Sequence, residues 1–201
     1  MRPSIVRGRA WRWVLVAFLF AGPGSAAVLS AHAAGIRIAD LMVTNSEESL
    51  GVHAVLLGPI PPQMLEALET GIPATVRFTV ELWQYSRFWF DRLVGTKLIE
   101  RTVTYDVLTK EYRVTAVKGD ERPPQVTKTL NEAQRALTML REPRLVPFTT
   151  LKPDELYYVR VRGEMQSAQD SSIVRFLPFV SSGRDESSWE RSPLLTIRRG
   201  Q

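Results

Sequence analysis

The chain has 201 residues, of which 26 are basic, 21 are acidic and 44% are of hydrophobic types. It contains no cysteine, which excludes disulfide bonds, thiol nucleophiles and thiolate metal sites. The net charge of +5 would favour an acidic partner such as a nucleic acid, but much of this excess comes from arginines near the N-terminus.

Residues 1–33 have the order of a secretory signal peptide. Four arginines precede an apolar run over residues 14–21, and the small residues of Ala31-His32-Ala33 fit a signal peptidase pocket. We therefore expect cleavage between Ala33 and Ala34 and export to the periplasm by a Sec-type route. Ser25-Ala26-Ala27 is a second acceptable cleavage site.

Cleavage would remove four of the basic residues and leave 22 against 21 acidic residues, a net charge of +1. A nearly neutral exported chain does not favour nucleic acid as a partner. The alternative is an inner-membrane anchor over residues 14–29. However, Gly22-Pro23-Gly24 interrupts the apolar run after eight residues, whereas a spanning helix needs about 20. We expect the chain to contact the membrane only through the signal peptide, before cleavage.

The mature chain carries several strand patterns. Alternating apolar and polar residues, often β-branched or aromatic, are typical of half-buried strands. These patterns predict strands over residues 36–44, 50–57, 75–83, 99–105, 112–116, 156–165, 172–180 and 194–198. The fourth and fifth of these strands are expected to form an antiparallel hairpin.

Two helices interrupt the strands. The first begins at Pro61-Pro62 and ends at Gly71, a pattern typical of helix termini. The second has Thr129 as its N-cap with Glu132 three residues later, and Pro143 is predicted to end it. The predicted fold is therefore mostly β: one domain over residues 34–201, an antiparallel Ig-like sandwich of seven to eight strands with two short capping helices. A partly open barrel would give the same pattern.

The mature chain offers little for nucleophilic or metal chemistry. Its one histidine, His53, lies in an alternating strand, and no Gly-x-Ser-x-Gly motif occurs. One histidine without cysteines cannot form the usual transition-metal site. The polar loops at residues 170–172 and 185–187 have no calcium-ligand spacing. We expect no catalytic residue, no metal ion and no cofactor.

Paired carboxylates could in principle hydrolyse a glycoside. The candidates are Glu81, Asp91, Glu100 and Asp106. Glu81 and Glu100 fall on polar strand faces, where charged residues are common, and Asp106 opens a turn. This pattern does not favour an enzyme.

The segment 83–90 is the densest chemical feature, with five aromatic residues in eight positions. Either its rings pack into the core or under a shallow cover, or some of them remain exposed as a patch for a protein, glycan or lipid surface. A lone tryptophan in a polar loop further along the chain is a second candidate, although it could simply close the sandwich end. The predicted binding residues are Trp83, Tyr85, Arg87, Trp89 and Trp189.

A late strand brings Tyr158, Arg160, Arg162 and Glu164 to one face. Such a face is typically solvated and held by salt bridges. The alternative is that it contacts an acidic partner.

Three segments carry a family resemblance: residues 64–73, Phe88-Trp89-Phe90-Asp91 and residues 104–114. In these segments the chain resembles a family of exported proteobacterial proteins known only as a domain of unknown function. The resemblance covers most of the mature chain and implies no activity, cofactor or site residue. Proximity of such genes to sensor histidine kinase genes implies a regulatory or envelope role, with a sensor-kinase ectodomain as one candidate partner.

Together these observations predict a non-catalytic periplasmic module that binds an envelope protein. The alternative is a carrier of a small ligand or lipid, in which helices at 61–70 and 129–141 close an apolar cavity between the sheets. A hydrolase is the third hypothesis.

Overall fold

The computed structural model describes residues 35–45, 49–141, 144–146, 151–167 and 185–196. The predicted signal segment 1–33, its junction between Ala33 and Ala34, and the predicted strand 172–180 lie outside the described residues.

Within these ranges the chain forms eleven strands and two helices. The strands are β1 (Arg37–Asn45), β2 (Leu50–Leu57), β3 (Ala74–Gln84), β4 (Arg92–Asp106), β5 (Glu111–Lys118), β6 (Gln125–Thr127), β7 (Met139–Arg141), β8 (Leu156–Ser167), β9 (Asp185–Glu186), β10 (Glu190–Arg191) and β11 (Leu195–Thr196). The helices are α1 (Pro62–Glu69) and α2 (Leu130–Thr138). Neither of these two helices is long and apolar enough to cross a membrane.

The strands form two antiparallel sheets. The large sheet has the order β10-β8-β3-β4-β5-β6, and β9 and β11 also pair with β8. The small sheet has the order β1-β2-β7. The predicted mostly antiparallel β fold is confirmed: it is sandwich-like, with two short helices, and it is not a closed barrel.

The strand alternation that is visible in the sequence decides which side chains enter the core. On the central strand β3, Val76, Phe78 and Val80 are fully buried, whereas Arg77 and Glu81, which alternate with such core positions, lie on the opposite face. The small sheet contributes further fully buried side chains, including Leu56. These side chains form one hydrophobic core between the layers.

The sheets come into close contact at Gly163 on β8. A Cβ at this position would lie 2.6 Å from Leu56 Cδ1 and 3.3 Å from Ile38 Cδ1, both from the small sheet. The missing side chain therefore allows the small sheet to pack directly on the backbone of β8.

Both predicted helix starts are confirmed. Helix α1 begins at Pro62 and is followed by Gly71, whose φ of 85° is suited to glycine. At α2, the hydroxyl of Thr129 accepts a hydrogen bond from the Glu132 backbone N–H at 3.4 Å.

The predicted end of the second helix is wrong. The helix ends at Thr138 rather than at Pro143, and Leu140 lies in β7 instead of on the helix. The physical reason is tertiary: residues 139–141 pair with β2, which gives their backbone groups sheet partners. The early start of β4, at Arg92, was also not predicted.

Candidate functional site

The face of β3 and β8 that points away from the core carries a row of aromatic and arginine side chains. Cross-strand pairing places Trp83 opposite Tyr158, and Arg160 and Arg162 follow Tyr158 at every second position of β8. Trp189 and Arg191 reach the same row from the segment around β10. We call these six residues the aromatic–arginine ladder: Trp83, Tyr158, Arg160, Arg162, Trp189 and Arg191.

Tryptophan and arginine alternate in the middle of the ladder. The guanidinium carbon of Arg160 lies 4.7 Å from the ring centre of Trp83 and 4.7 Å from that of Trp189. The guanidinium carbon of Arg162 lies 4.8 Å from the ring centre of Trp189. These distances are within cation–π range, so each ring contact stabilises a neighbouring charge.

Tyr158 forms the end of the ladder nearest the β3–β4 turn. Its ring is stacked on that of Trp83, with centroids 6.5 Å apart and planes inclined by 7°. The guanidinium carbon of Arg191 lies 3.6 Å from the Tyr158 ring centre. Only 5% of Tyr158 is exposed, because it has a neighbour on each side.

Two serines hold the segment that carries Trp189 on the edge of β8. Ser187 donates its backbone N–H to the Gly163 carbonyl, and its hydroxyl accepts the Gly163 N–H, both at 2.9 Å. Likewise, Ser192 donates its backbone N–H to the Val159 carbonyl at 2.9 Å, and its hydroxyl accepts the Val159 N–H at 3.0 Å. Both serines are buried. The segment is thus fixed at two points, and Trp189 lies between them.

Carboxylates pair with two of the three arginines of the ladder, Arg160 and Arg162. Glu81 Oε2 accepts hydrogen bonds from Arg160 and from the indole N–H of Trp83, both at 2.7 Å. Arg162 forms an ion pair with Glu186 at 2.5 Å. The Nε atoms of Arg160 and Arg162 are buried and have no hydrogen-bond partner among the described residues. Ring contacts and ion pairs therefore hold these guanidinium groups.

The turn between β3 and β4, residues 85–91, exposes three consecutive aromatic side chains. Phe88 is 85% exposed, Trp89 83% and Phe90 97%. We call residues 85–91 the aromatic tip.

The base of the aromatic tip is fixed by Asp91. Its Oδ1 accepts the Ser86 backbone N–H at 2.9 Å, and its Oδ2 accepts the hydroxyl of Tyr158 at 2.7 Å. The Ser86 hydroxyl in turn accepts the Trp89 N–H at 3.1 Å. The tip is therefore connected directly to the ladder through Tyr158.

These hydrogen bonds shift two acid–base equilibria. The bond from the Ser86 backbone and then that from Tyr158 lower the pKa of the Asp91 carboxyl. Burial, and then the hydrogen bond to Asp91, raise the pKa of the Tyr158 hydroxyl. Both shifts keep Asp91 as an acceptor and Tyr158 as a donor around neutral pH.

A shallow depression at the base of the tip is mostly cationic. Its charged lining residues are Arg87, Arg92, Lys152 and Glu155. Arg87 lies over the Phe88 ring at 5.9 Å, and Arg92 donates to the neutral amide oxygen of Gln84.

The family assignment follows from residues 33–192, which include the whole ladder and the whole tip. This range matches the family model described as a domain of unknown function, DUF4390. The chain belongs to the DUF4390 family. The predicted resemblance to a family known only as a domain of unknown function is thereby confirmed. No curated protein and no solved structure matches the chain.

In this DUF4390 chain four of the five predicted binding residues divide into two groups, and Tyr85 lies where the tip begins. Trp83 and Trp189 are half-buried members of the ladder, whereas Arg87 and Trp89 are exposed on the tip. Tyr85 is half-buried where the tip leaves β3, and its backbone N–H donates to the Leu156 carbonyl at 2.8 Å. The two interpretations of the aromatic segment, packed rings and exposed patch, thus apply to different residues within it.

Sequence reasoning did not select Phe88 and Phe90, which are as exposed as Trp89. Three consecutive aromatic residues cannot follow the two-residue period of a strand, and this break in the period was the available signal. The late-strand face is held by salt bridges, as predicted, but its exposure differs from prediction. Its residues do share a face, but Trp189 and Arg191 lie over it, so this face is largely covered instead of solvated.

The remaining catalytic and metal candidates have structural partners or lie alone. Glu81 accepts hydrogen bonds from ladder residues, and Asp91 accepts them from Ser86 and Tyr158. Glu100 pairs with Arg77, and Asp106 accepts backbone N–H groups of its own turn. His53 is half-buried on β2, opposite Met42 and Arg141. Within the described ranges, no group of three or more histidine, aspartate or glutamate residues is arranged to hold a metal ion.

Proposed function

We propose that this DUF4390 protein is an exported, non-catalytic module of the periplasm that binds another component of the cell envelope through its aromatic tip. The observation that carries the proposal is the near-complete exposure of Phe88, Trp89 and Phe90. Burying one such side chain contributes about 1.5–3 kcal/mol of favourable free energy, so covering all three would contribute substantially to the free energy of binding. Single exposed apolar residues are common, but a contiguous group of them is typical of an interaction site.

The rigid base of the tip supports this proposal. Asp91 and Tyr158 tie the tip to the ladder, and the ladder itself is fixed by stacking and ion pairs. A loop that is already ordered loses less conformational entropy when it binds. The ladder therefore has a positioning role, while the exposed rings make the contact.

Export is supported by the sequence and by the extent of the family match. Residues 1–33 have the order of a signal peptide, and the family match begins at residue 33, next to the expected cleavage point. A periplasmic location places the tip within reach of envelope proteins and of membrane surfaces.

The other two hypotheses have less support. For a hydrolase, the candidate carboxylates are already engaged in structural hydrogen bonds. For a carrier, the space between the sheets would have to be open, yet fully buried side chains such as Phe78, Leu56 and Leu140 pack into one core there.

A photoreactive side chain tests the proposal in the host. We expect p-benzoylphenylalanine at Trp89 to form an adduct with an envelope component when cells are irradiated. The matched control is the same group at Leu108, which is 92% exposed on the β4–β5 turn at the other end of β4. Equal or absent adducts at the two positions would show that the tip is not a binding site.

A further inference from the structure

We propose that the component bound by the aromatic tip is the surface of an anionic lipid bilayer. This inference rests on the proposed function and names the chemistry of its partner. It replaces the expectation from the sequence that the chain contacts the membrane only through the signal peptide. In this arrangement Phe88, Trp89 and Phe90 enter the boundary between headgroups and acyl chains, and the cations at the base of the tip contact the headgroups.

The shape of the tip favours a bilayer over a protein. Three adjacent residues at the end of a hairpin are each at least 83% exposed, so solvent reaches the rings from almost all sides. A flat protein surface would cover only one side of such a projection, and a protein pocket would have to enclose it completely. The boundary region of a bilayer is fluid and surrounds an inserted side chain without a preformed shape.

The residue types fit the same location. Tryptophan has an apolar ring with one polar N–H and is enriched at membrane–water interfaces, whereas phenylalanine can enter the acyl region beyond it. Unlike the indole of Trp83, which bonds to Glu81, the Trp89 ring is almost fully exposed. Three side chains are a small apolar area, so binding should be reversible and should depend on charge as well.

The charge at the base of the tip is complementary to anionic headgroups. Arg87, Arg92 and Lys152 surround the depression with Glu155 as its one carboxylate. Within the described residues none of the three cations forms an ion pair, which leaves their charge available. Cations placed beside inserted apolar side chains add electrostatic attraction to an anionic surface.

Insertion of the tip into a bilayer can be tested with a site-specific fluorescent label. The chain has no cysteine, so one introduced cysteine carries the only label. Two full-length variants, Phe88→Cys and Leu108→Cys, are labelled with the polarity-sensitive dye NBD and mixed with vesicles. We expect a several-fold rise and a blue shift of emission for the label at position 88 on vesicles rich in phosphatidylglycerol. The label at position 108 should not change, and phosphatidylcholine vesicles should produce little response at either position.

A second variant tests the cations. We expect Arg87→Gln combined with Arg92→Gln to weaken vesicle binding by about 30-fold, since each cation near an anionic surface contributes about a fivefold factor. Salt at about 1 M, where the Debye length is about 3 Å, should have a similar effect on the unmodified protein. The matched control is Arg113→Gln, an exposed arginine on β5, which should leave binding unchanged.

Any vesicle binding by residues 1–33 is common to both labelled proteins, so the difference between the two labels reports on the tip. If the label at position 88 responds no more than that at position 108, the lipid proposal is overturned. If, in addition, the photoreactive group at Trp89 still captures a protein in cells, the tip is a binding site and its partner is a protein. If neither experiment gives a signal at the tip, both proposals are wrong.

Discussion

Arg101 shows how a single charged residue can be accommodated on the core face of β4, where it is only 2% exposed. Its Nε donates to Asp120 Oδ2 at 2.6 Å, and its Nη1 donates to the Met139 carbonyl at 2.6 Å. Burial and the charge of Arg122 lower the pKa of Arg101. For Asp120, burial acts to raise the pKa, but hydrogen bonds from Arg122 and Arg101, together with the charge of Arg101, outweigh it and lower the pKa overall.

Removing the charge of Asp120 should destabilise the fold strongly. We expect Asp120→Asn to lower the free energy of unfolding by about 3–5 kcal/mol, because it leaves the buried guanidinium of Arg101 without its counter-charge. Urea unfolding followed by circular dichroism measures the change. The matched control is Glu121→Gln at the adjacent exposed position, which should stay within about 0.5 kcal/mol. Similar losses in both variants would contradict this role of Asp120.

Asp91 should make the stability of the tip depend on pH. Its folded-state pKa lies below the usual value of 3.8, so the ionised carboxylate stabilises the folded state above that value. This contribution is lost as the pH falls through the folded-state pKa. We expect the difference in melting temperature between the wild-type protein and Asp91→Asn to be constant near neutral pH and to shrink below 3.8. A difference that does not change with pH would show that the charge of Asp91 is not involved.

Among the secondary-structure elements, the strands that pair with the edge of β8 were the hardest to predict. Strands β9 and β10 have two residues each, which is too short for an alternating pattern to appear. They form because their backbone pairs with β8, and because Ser187 and Ser192, on either side of β10, accept further N–H groups of β8. Most of each long strand could be predicted from its alternating apolar and polar residues, whereas these short strands form only because they pair with β8.

The contact between the sheets can be tested at Gly163. We expect Gly163→Ala to lower the free energy of unfolding by about 1–3 kcal/mol, because the new methyl group would overlap the buried side chain of Leu56. The matched control is Gly35→Ala, where an added Cβ would meet nothing within 4 Å. Thermal unfolding of the two variants compares them directly. Adding Leu56→Ala to Gly163→Ala should make the loss at position 163 smaller than in the parent, and full additivity would contradict direct overlap.

At the scale of the whole molecule, the two sheets, the ladder and the tip have separate tasks. The core between the sheets provides stability, since disulfides are excluded by the composition. The ladder covers the outer face of the large sheet and continues through Tyr158 and Asp91 to the tip. The rings of Phe88, Trp89 and Phe90 remain exposed and form the surface that we propose for binding.

The proposed cleavage of residues 1–33 can be tested in the host. We expect the protein recovered from the host periplasm to have an intact mass that corresponds to a chain starting near Ala34, because residues 1–33 have the pattern of a cleaved signal. Fractionation of the host followed by mass spectrometry measures this. A full-length protein found only in the membrane fraction would instead show that residues 14–29 act as an anchor.

Local period, capping residues and composition were enough to predict most of the long strands, both helix starts, the family and the lack of thiol chemistry. Which aromatic residues pack and which project depends on tertiary contacts. Trp83 and Trp189 are far apart in the chain, and strand pairing brings both against Arg160. The end of α2 was decided in the same way, because pairing with β2 overrides the local helical pattern. The packing of these rings and the end of α2 both depend on contacts between residues far apart in the chain. The sequence around each residue does not specify such contacts.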